Sequence, residues 1–165
     1  ICEVANDNCP GQVILSGTKG SVDFISQKLK SLGARSIIEL NVSAPFHCSL
    51  MKNATVIMQD ALSEVVIQKP KIKFINNVNA KFVYNPEEIK KLLVEQVQSR
   101  VRWRESIGEA SRLNLDFIIE IGPGRVLTGL NKRMKVDAEY FSISTLEDIN
   151  NFLKNYGDDL WKKML

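Results

Sequence analysis

Short apolar runs of strand character alternate with amphipathic helical segments along almost the whole chain, and this alternation confines it to an α/β layered fold with a largely parallel sheet. Residues 12–16 form a strand-like run entered through the turn signal Pro10-Gly11, while the first ten residues read as loop. Across 18–32, Val22, Ile25, Leu29 and Leu32 recur at helical spacing, and Gly33 supplies a stop. A second strand over 35–40 would complete a β-α-β unit. The spacing of Leu50, Ala54, Ile57, Ala61, Leu62 and Val65 predicts the buried stripe of a helix over 50–67, with Ser49 as its N-cap. Strands are expected over 73–78 and 81–84, then a helix from Asn85-Pro86-Glu87-Glu88 to Gln96 or Gln98. A helix over 101–113, a strand over 116–121, a helix over 125–134 and a strand over 140–143 follow. A last helix begins at Thr145, with Leu146, Ile149, Leu153 and Leu160 facing inward.

Composition narrows the function classes. The chain has 165 residues, enough for one domain with a real core, and its 44% hydrophobic and 25% charged residues are those of a globular protein. The net charge of +3 is mild, and Lys/Arg are not clustered with aromatics as nucleic-acid binding usually requires. No apolar run reaches the length of a membrane span. Cys2, Cys9 and Cys48 show no C-x-x-C spacing, and with a single histidine they point to neither a disulfide framework nor a metal site. A reducing compartment is the expectation.

His47 is the only histidine, and it follows a proline-stiffened loop at the start of a helix, a position suited to proton transfer near neutral pH. Cys48 beside it raises a Cys–His nucleophile pair, but residues adjacent in sequence seldom face each other, so a buried small hydrophobe is the better reading. Gly122-Pro123-Gly124 lacks the third glycine of a dinucleotide fingerprint, and Pro123 removes an N–H that a phosphate would use; it reads as a strand-to-helix turn. Asn6, Asn8, Asn76, Asn77 and Asn79 read as turn chemistry. Lys19, Lys28, Lys30 and Arg35 on or beside the first helix, with Lys132-Arg133 later, offer a surface to an acidic partner.

Several segments together resemble the malonyl-CoA:acyl carrier protein transacylase family, in the family's order: Asn6-Asp7-Asn8-Cys9-Pro10-Gly11-Gln12-Val13-Ile14, then Val42-Ser43-Ala44-Pro45-Phe46-His47-Cys48-Ser49-Leu50-Met51. Ile75-Asn76-Asn77-Val78, Glu95-Gln96 with Val101-Arg102-Trp103, and Glu120-Ile121-Gly122-Pro123-Gly124-Arg125-Val126-Leu127-Thr128-Gly129-Leu130 continue the likeness. The resemblance implies a ping-pong malonyl transfer from malonyl-CoA to the phosphopantetheine thiol of acyl carrier protein in fatty acid biosynthesis, with no cofactor or metal. It makes His47 the catalytic base, oriented by a main-chain carbonyl at Gln96, and places Asn8 and Phe46 at the substrate. It further implies part of a hydrolase-like parallel-sheet core over 43–165, the second half of a small ferredoxin-like subdomain over 1–42, a monomer when complete, and a cytoplasmic or organellar-matrix setting.

The departure from the family is that no G-x-S-x-G occurs anywhere in the chain. The chain therefore resembles the family's C-terminal half, carries the histidine without the serine, and is expected to be inactive alone. A polyketide synthase-type acyltransferase domain, a non-catalytic fragment that binds acyl carrier protein, and more distantly a Cys–His hydrolase are the competing readings.

Overall fold

The computed structural model describes residues 1–164, with side chains through Gly157. Two compact units, Ile1–Ala110 and Ser111–Leu165, divide the chain. The fold is mixed α/β, with three two-stranded sheets among the described residues.

The first unit opens with an antiparallel hairpin of β1 (Cys2–Cys9) and β2 (Gln12–Gly17). Gly11 at φ 81° gives the Pro10-Gly11 connection its type II geometry. The opening residues are thus a strand, not the loop that their composition implies. Ala5, Asp7 and Cys9 are all buried, so the period of two is present but hidden by a charged residue on its inward side. Register shifts mark Ala5 and Asn8 as extra residues on β1. Val101 bridges to Asn6, donating its N–H to Ala5 O (2.8 Å) and accepting from Asp7 N (2.9 Å).

Helix α1 (Lys19–Ser31) half-buries Val22 and Ile25, as the periodicity predicts, but leaves Leu29 and Leu32 exposed. The strand expected over 35–40 does not form: Ile37, Ile38 and Leu40 are exposed and the segment joins none of the described sheets. Alternation alone makes no strand where no ladder is offered. A 3-10 turn, Ser49–Met51, leads into α2 (Lys52–Ser63), and its predicted stripe is not buried either, since Leu50, Ile57 and Val65 are exposed. The core of this unit is instead Val83, Ile89 and Leu92, with Ile67 and Val78 against it. Val83 comes from β4 (Phe82–Val83), which pairs antiparallel with β3 (Phe74–Ile75), and Ile89 and Leu92 come from α3 (Pro86–Gln96). The start of α3 is as read: Asn85 accepts from the N–H groups of Glu87 and Glu88, and Pro86 opens the first turn. Helix α4 (Trp103–Ser111) follows.

In the second unit β5 (Phe117–Ile121), α5 (Val126–Met134) and β6 (Glu139–Ile143) form a parallel β-α-β unit, the one parallel ladder among the described strands. Gly122 and Gly124, at φ 140° and 91°, turn β5 into α5, so Gly122-Pro123-Gly124 is a strand-to-helix turn, as its composition predicts. Phe117, Phe141, Phe152 and Tyr156 pack with ring centroids 5.0–6.1 Å apart. That cluster sets the rotation of α6 (Leu146–Met164): Phe152 and Tyr156 face inward, while Leu146, Ile149 and Leu153 are exposed, so the buried stripe is rotated to one side of the expected one. Leu160 lies outside the described side chains. Among the described residues no helix is long and apolar enough to cross a membrane.

Glu120 at the end of β5 caps α5, accepting from Leu127 N (3.0 Å) and Thr128 N (2.7 Å). Burial alone would push its carboxyl up, but the hydrogen bonds from Thr128, Leu127 and Val126 outweigh that and hold it below its ordinary 4.5. A lowered folded-state value means the stabilisation is present above pH 4.5 and is lost as pH falls through the folded value. Glu120→Gln should therefore cost about 1 kcal/mol at pH 7. In urea melts the gap to wild type should close on acidification; a gap independent of pH would remove the charge from the account.

Candidate functional site

Phe46 and His47 are the two central residues of a turn from Pro45 to Cys48 that precedes the 3-10 turn and α2. His47 has φ 58°, the left-handed region, which costs a non-glycine residue about 1 kcal/mol. Its ring is held by one firm partner: Nδ1 lies 3.0 Å from the carbonyl oxygen of Gln96, the last residue of α3. A carbonyl only accepts, so Nδ1 carries the proton and Nε2 keeps its lone pair. The amide nitrogen of Gln96 is 3.5 Å from Nδ1 and is turned instead to Ser99 O, at 3.1 Å. The ring is thereby fixed as the Nδ1–H tautomer through a neutral dipole, an arrangement able to accept a proton at Nε2.

The loop is tied down on its other side by the hairpin. Glu3 on β1 accepts from Ser49 N (3.2 Å) and from the Ser49 hydroxyl. Its carboxylate, rather than Ser49, satisfies the first amide of the helical run and places negative charge at its positive end. Cys48 is fully buried and donates its thiol to Pro45 O (3.1 Å). The Gln96 side is tied to the same hairpin by the Val101 bridge and by Arg104, whose Nη2 is 2.6 Å and Nε 3.1 Å from Oδ2 of the buried Asp7.

Of the predicted site residues, His47 and Gln96 are brought into direct contact, and the contact uses the Gln96 main-chain carbonyl. Phe46 stands beside His47 in the turn with 46% of its surface exposed. Asn8 is the extra residue at the second bulge of β1, half-buried, and both described hydrogen-bond partners of His47 belong to Gln96. Glu3, Asp7 and Arg104 carry no signal in the sequence, because each acts across a separation that no local pattern records.

No family model matches the chain. It is 40% identical over 155 residues to a malonyl CoA-acyl carrier protein transacylase of Staphylococcus aureus, covering 94% of this chain and 50% of the relative. The same-named protein of Bacillus subtilis is 38% identical over 149 residues, covering 90% and 47%. The chain is a homologue of the malonyl CoA-acyl carrier protein transacylases. It spans about half the length of the curated relatives it matches. Among solved structures, the acyl-carrier-protein-S-malonyltransferase of Bartonella henselae superposes with a TM-score of 0.89 at 39% identity, over 95% of this chain and 50% of that one. A malonyl-transacylase solved with a type II PKS acyl-carrier protein gives 0.89 at 34%, over 94% and 50%.

Proposed function

We propose that the chain contributes the proton-transfer half of a malonyl-CoA:acyl carrier protein transacylase centre. The observation that carries this reading is the His47 Nδ1–H bond to Gln96 O at 3.0 Å, which leaves Nε2 free to act as the base. The nucleophile is a serine of the G-x-S-x-G type supplied by sequence outside these residues. Its Oγ attacks the malonyl thioester as His47 Nε2 takes the hydroxyl proton. Collapse of the tetrahedral intermediate breaks the C–S bond, and His47 returns that proton to the departing CoA thiolate. In the second half-reaction His47 takes the proton of the phosphopantetheine thiol, whose sulfur attacks the malonyl-serine ester; the serine leaves and is reprotonated. Phe46 lines the acyl site and Asn8 meets the substrate from β1. No cofactor is required. A cytoplasmic or organellar-matrix setting goes with this role, as does a monomeric complete enzyme.

In the same reading residues 1–42 are part of a ferredoxin-like subdomain, and 43–165 are part of a hydrolase-like core. The apolar faces left open on α1 and α2, with Phe24 and Ile57 both more than 60% exposed, are where the remaining half packs. A type II polyketide role has a specific support, the likeness to a malonyl-transacylase solved with such a carrier. Basic residues at the end of α1, Lys28 and Lys30, fit either acidic carrier. A binding fragment without catalysis is the third possibility, and the same test separates it.

Intact mass spectrometry after incubation with malonyl-CoA decides the matter. The 165 residues alone should gain no malonyl group. Co-expressed with a segment bearing the serine, the complex should gain one, on the serine. An adduct on this chain alone, or none on the complex, would overturn the assignment.

A further inference from the structure

The Cys48 thiol lies next to the base but takes no part in the chemistry above. Its side chain is wholly buried, and its Sγ–H donates to Pro45 O at 3.1 Å, spanning the turn whose centre is His47. The sulfur in turn accepts from the hydroxyl of Ser16 on β2, at 3.7 Å. His47 holds a left-handed φ of 58°, a conformation that persists only where its surroundings over-determine it. Glu3 anchors the next residue, Ser49, from outside, but the thiol is the side chain that closes the turn itself.

We infer that Cys48 is a positioning residue for His47: its thiol, held by Ser16, closes the Pro45–Cys48 turn and aims the imidazole Nδ1–H at Gln96 O. The functional importance of that aim rests on reading His47 as the proton acceptor, but the aim itself is measured without any turnover. Because His47 is the only histidine, the imidazole of the ¹⁵N-histidine-labelled chain gives a single set of nitrogen signals that report the tautomer directly. Wild type should be almost wholly the Nδ1–H form. Cys48→Ala removes the donor at little cost in volume and should raise the Nε2–H form to about a third or more, a tenfold or larger shift in the tautomer ratio. Cys48→Ser restores a donor and should return the ratio most of the way to wild type.

An unchanged tautomer in Cys48→Ala, or equal disturbance in Cys48→Ala and Cys48→Ser, would overturn the inference; the latter would make packing of the sulfur the cause. Should Cys48→Ala fail to fold, Ser16→Ala takes its place. It removes the donor to sulfur and should move the ratio in the same direction by a smaller amount, and no movement would equally overturn it. A shifted tautomer in a complex that gains no malonyl group would leave the positioning role standing and remove the transacylase reading instead.

Discussion

On the proposed transacylase reading, His47→Asn in the protein completed by a serine-bearing half should lower malonyl transfer about 10²–10⁴-fold, the usual range for loss of a general base. That corresponds to about 3–5 kcal/mol in the barrier. Asparagine is the informative substitution, because the backbone at this position has φ 58° and asparagine tolerates that region where alanine does not. His47→Ala combines loss of the base with a strained turn, so it should show the same catalytic defect and in addition a lower melting temperature. Both half-reactions should fall if, as proposed, one imidazole serves serine and thiol alike. Stopped-flow acylation and carrier loading measured separately, beside thermal melts of both variants, check this. A rate of the same order as wild type in either variant would remove His47 from the chemistry.

The parts of this site legible from the chain are those that local pattern encodes. His47 stands out because it is the only histidine, and the start of α3 at Asn85-Pro86 is written in its capping residues. Gly122-Pro123-Gly124 likewise announces a turn that needs positive φ. What local pattern does not encode is which of two apolar faces a helix buries. On α6 both candidate stripes are apolar, and the ring cluster of Phe117, Phe141, Phe152 and Tyr156 chooses the one that spacing of aliphatics alone does not indicate. On α1 and α2 the periodicity reads a surface to be covered, and the described residues cover only part of it, leaving Leu29, Leu32, Leu50 and Ile57 exposed. The segment 35–40 fails as a strand for the same reason, since alternation describes a face but the ladder belongs to a neighbour. The hidden strand β1 is the converse case. Asp7 occupies an inward position there because Arg104, 97 residues away in sequence, meets its carboxylate.

The second large effect lies in the hairpin that precedes α3. Asn76→Ala should destabilise the first unit by about 2–4 kcal/mol, because one buried side chain makes four hydrogen bonds there. Its Nδ2 donates to Asn79 Oδ1 (2.7 Å) and Lys81 O (2.9 Å), and its Oδ1 accepts from Val78 N (3.0 Å) and Asn79 N (3.1 Å). These bonds hold a six-residue connection between strands of only two residues each, including Ala80 at φ 57°. The ladder is too short to hold that shape alone. Asn76→Asp separates the two sets of bonds: it keeps the acceptor for the two N–H groups but turns a second oxygen onto Asn79 Oδ1 and Lys81 O. At pH 7 it should therefore be nearly as destabilising as alanine. Its buried carboxyl should have a raised folded-state value, so the deficit should shrink as pH falls and the protonated group donates in place of the amide. The same turn carries Asn77, whose carbonyl accepts from Arg102 N (3.2 Å) at the start of α4, so loosening it reaches the segment that follows Gln96. Urea midpoints of the three proteins at pH 7 and pH 4.5 check the order. Equal deficits for Asn76→Asp at the two pH values would mean that the amide donor is not what stabilises the turn.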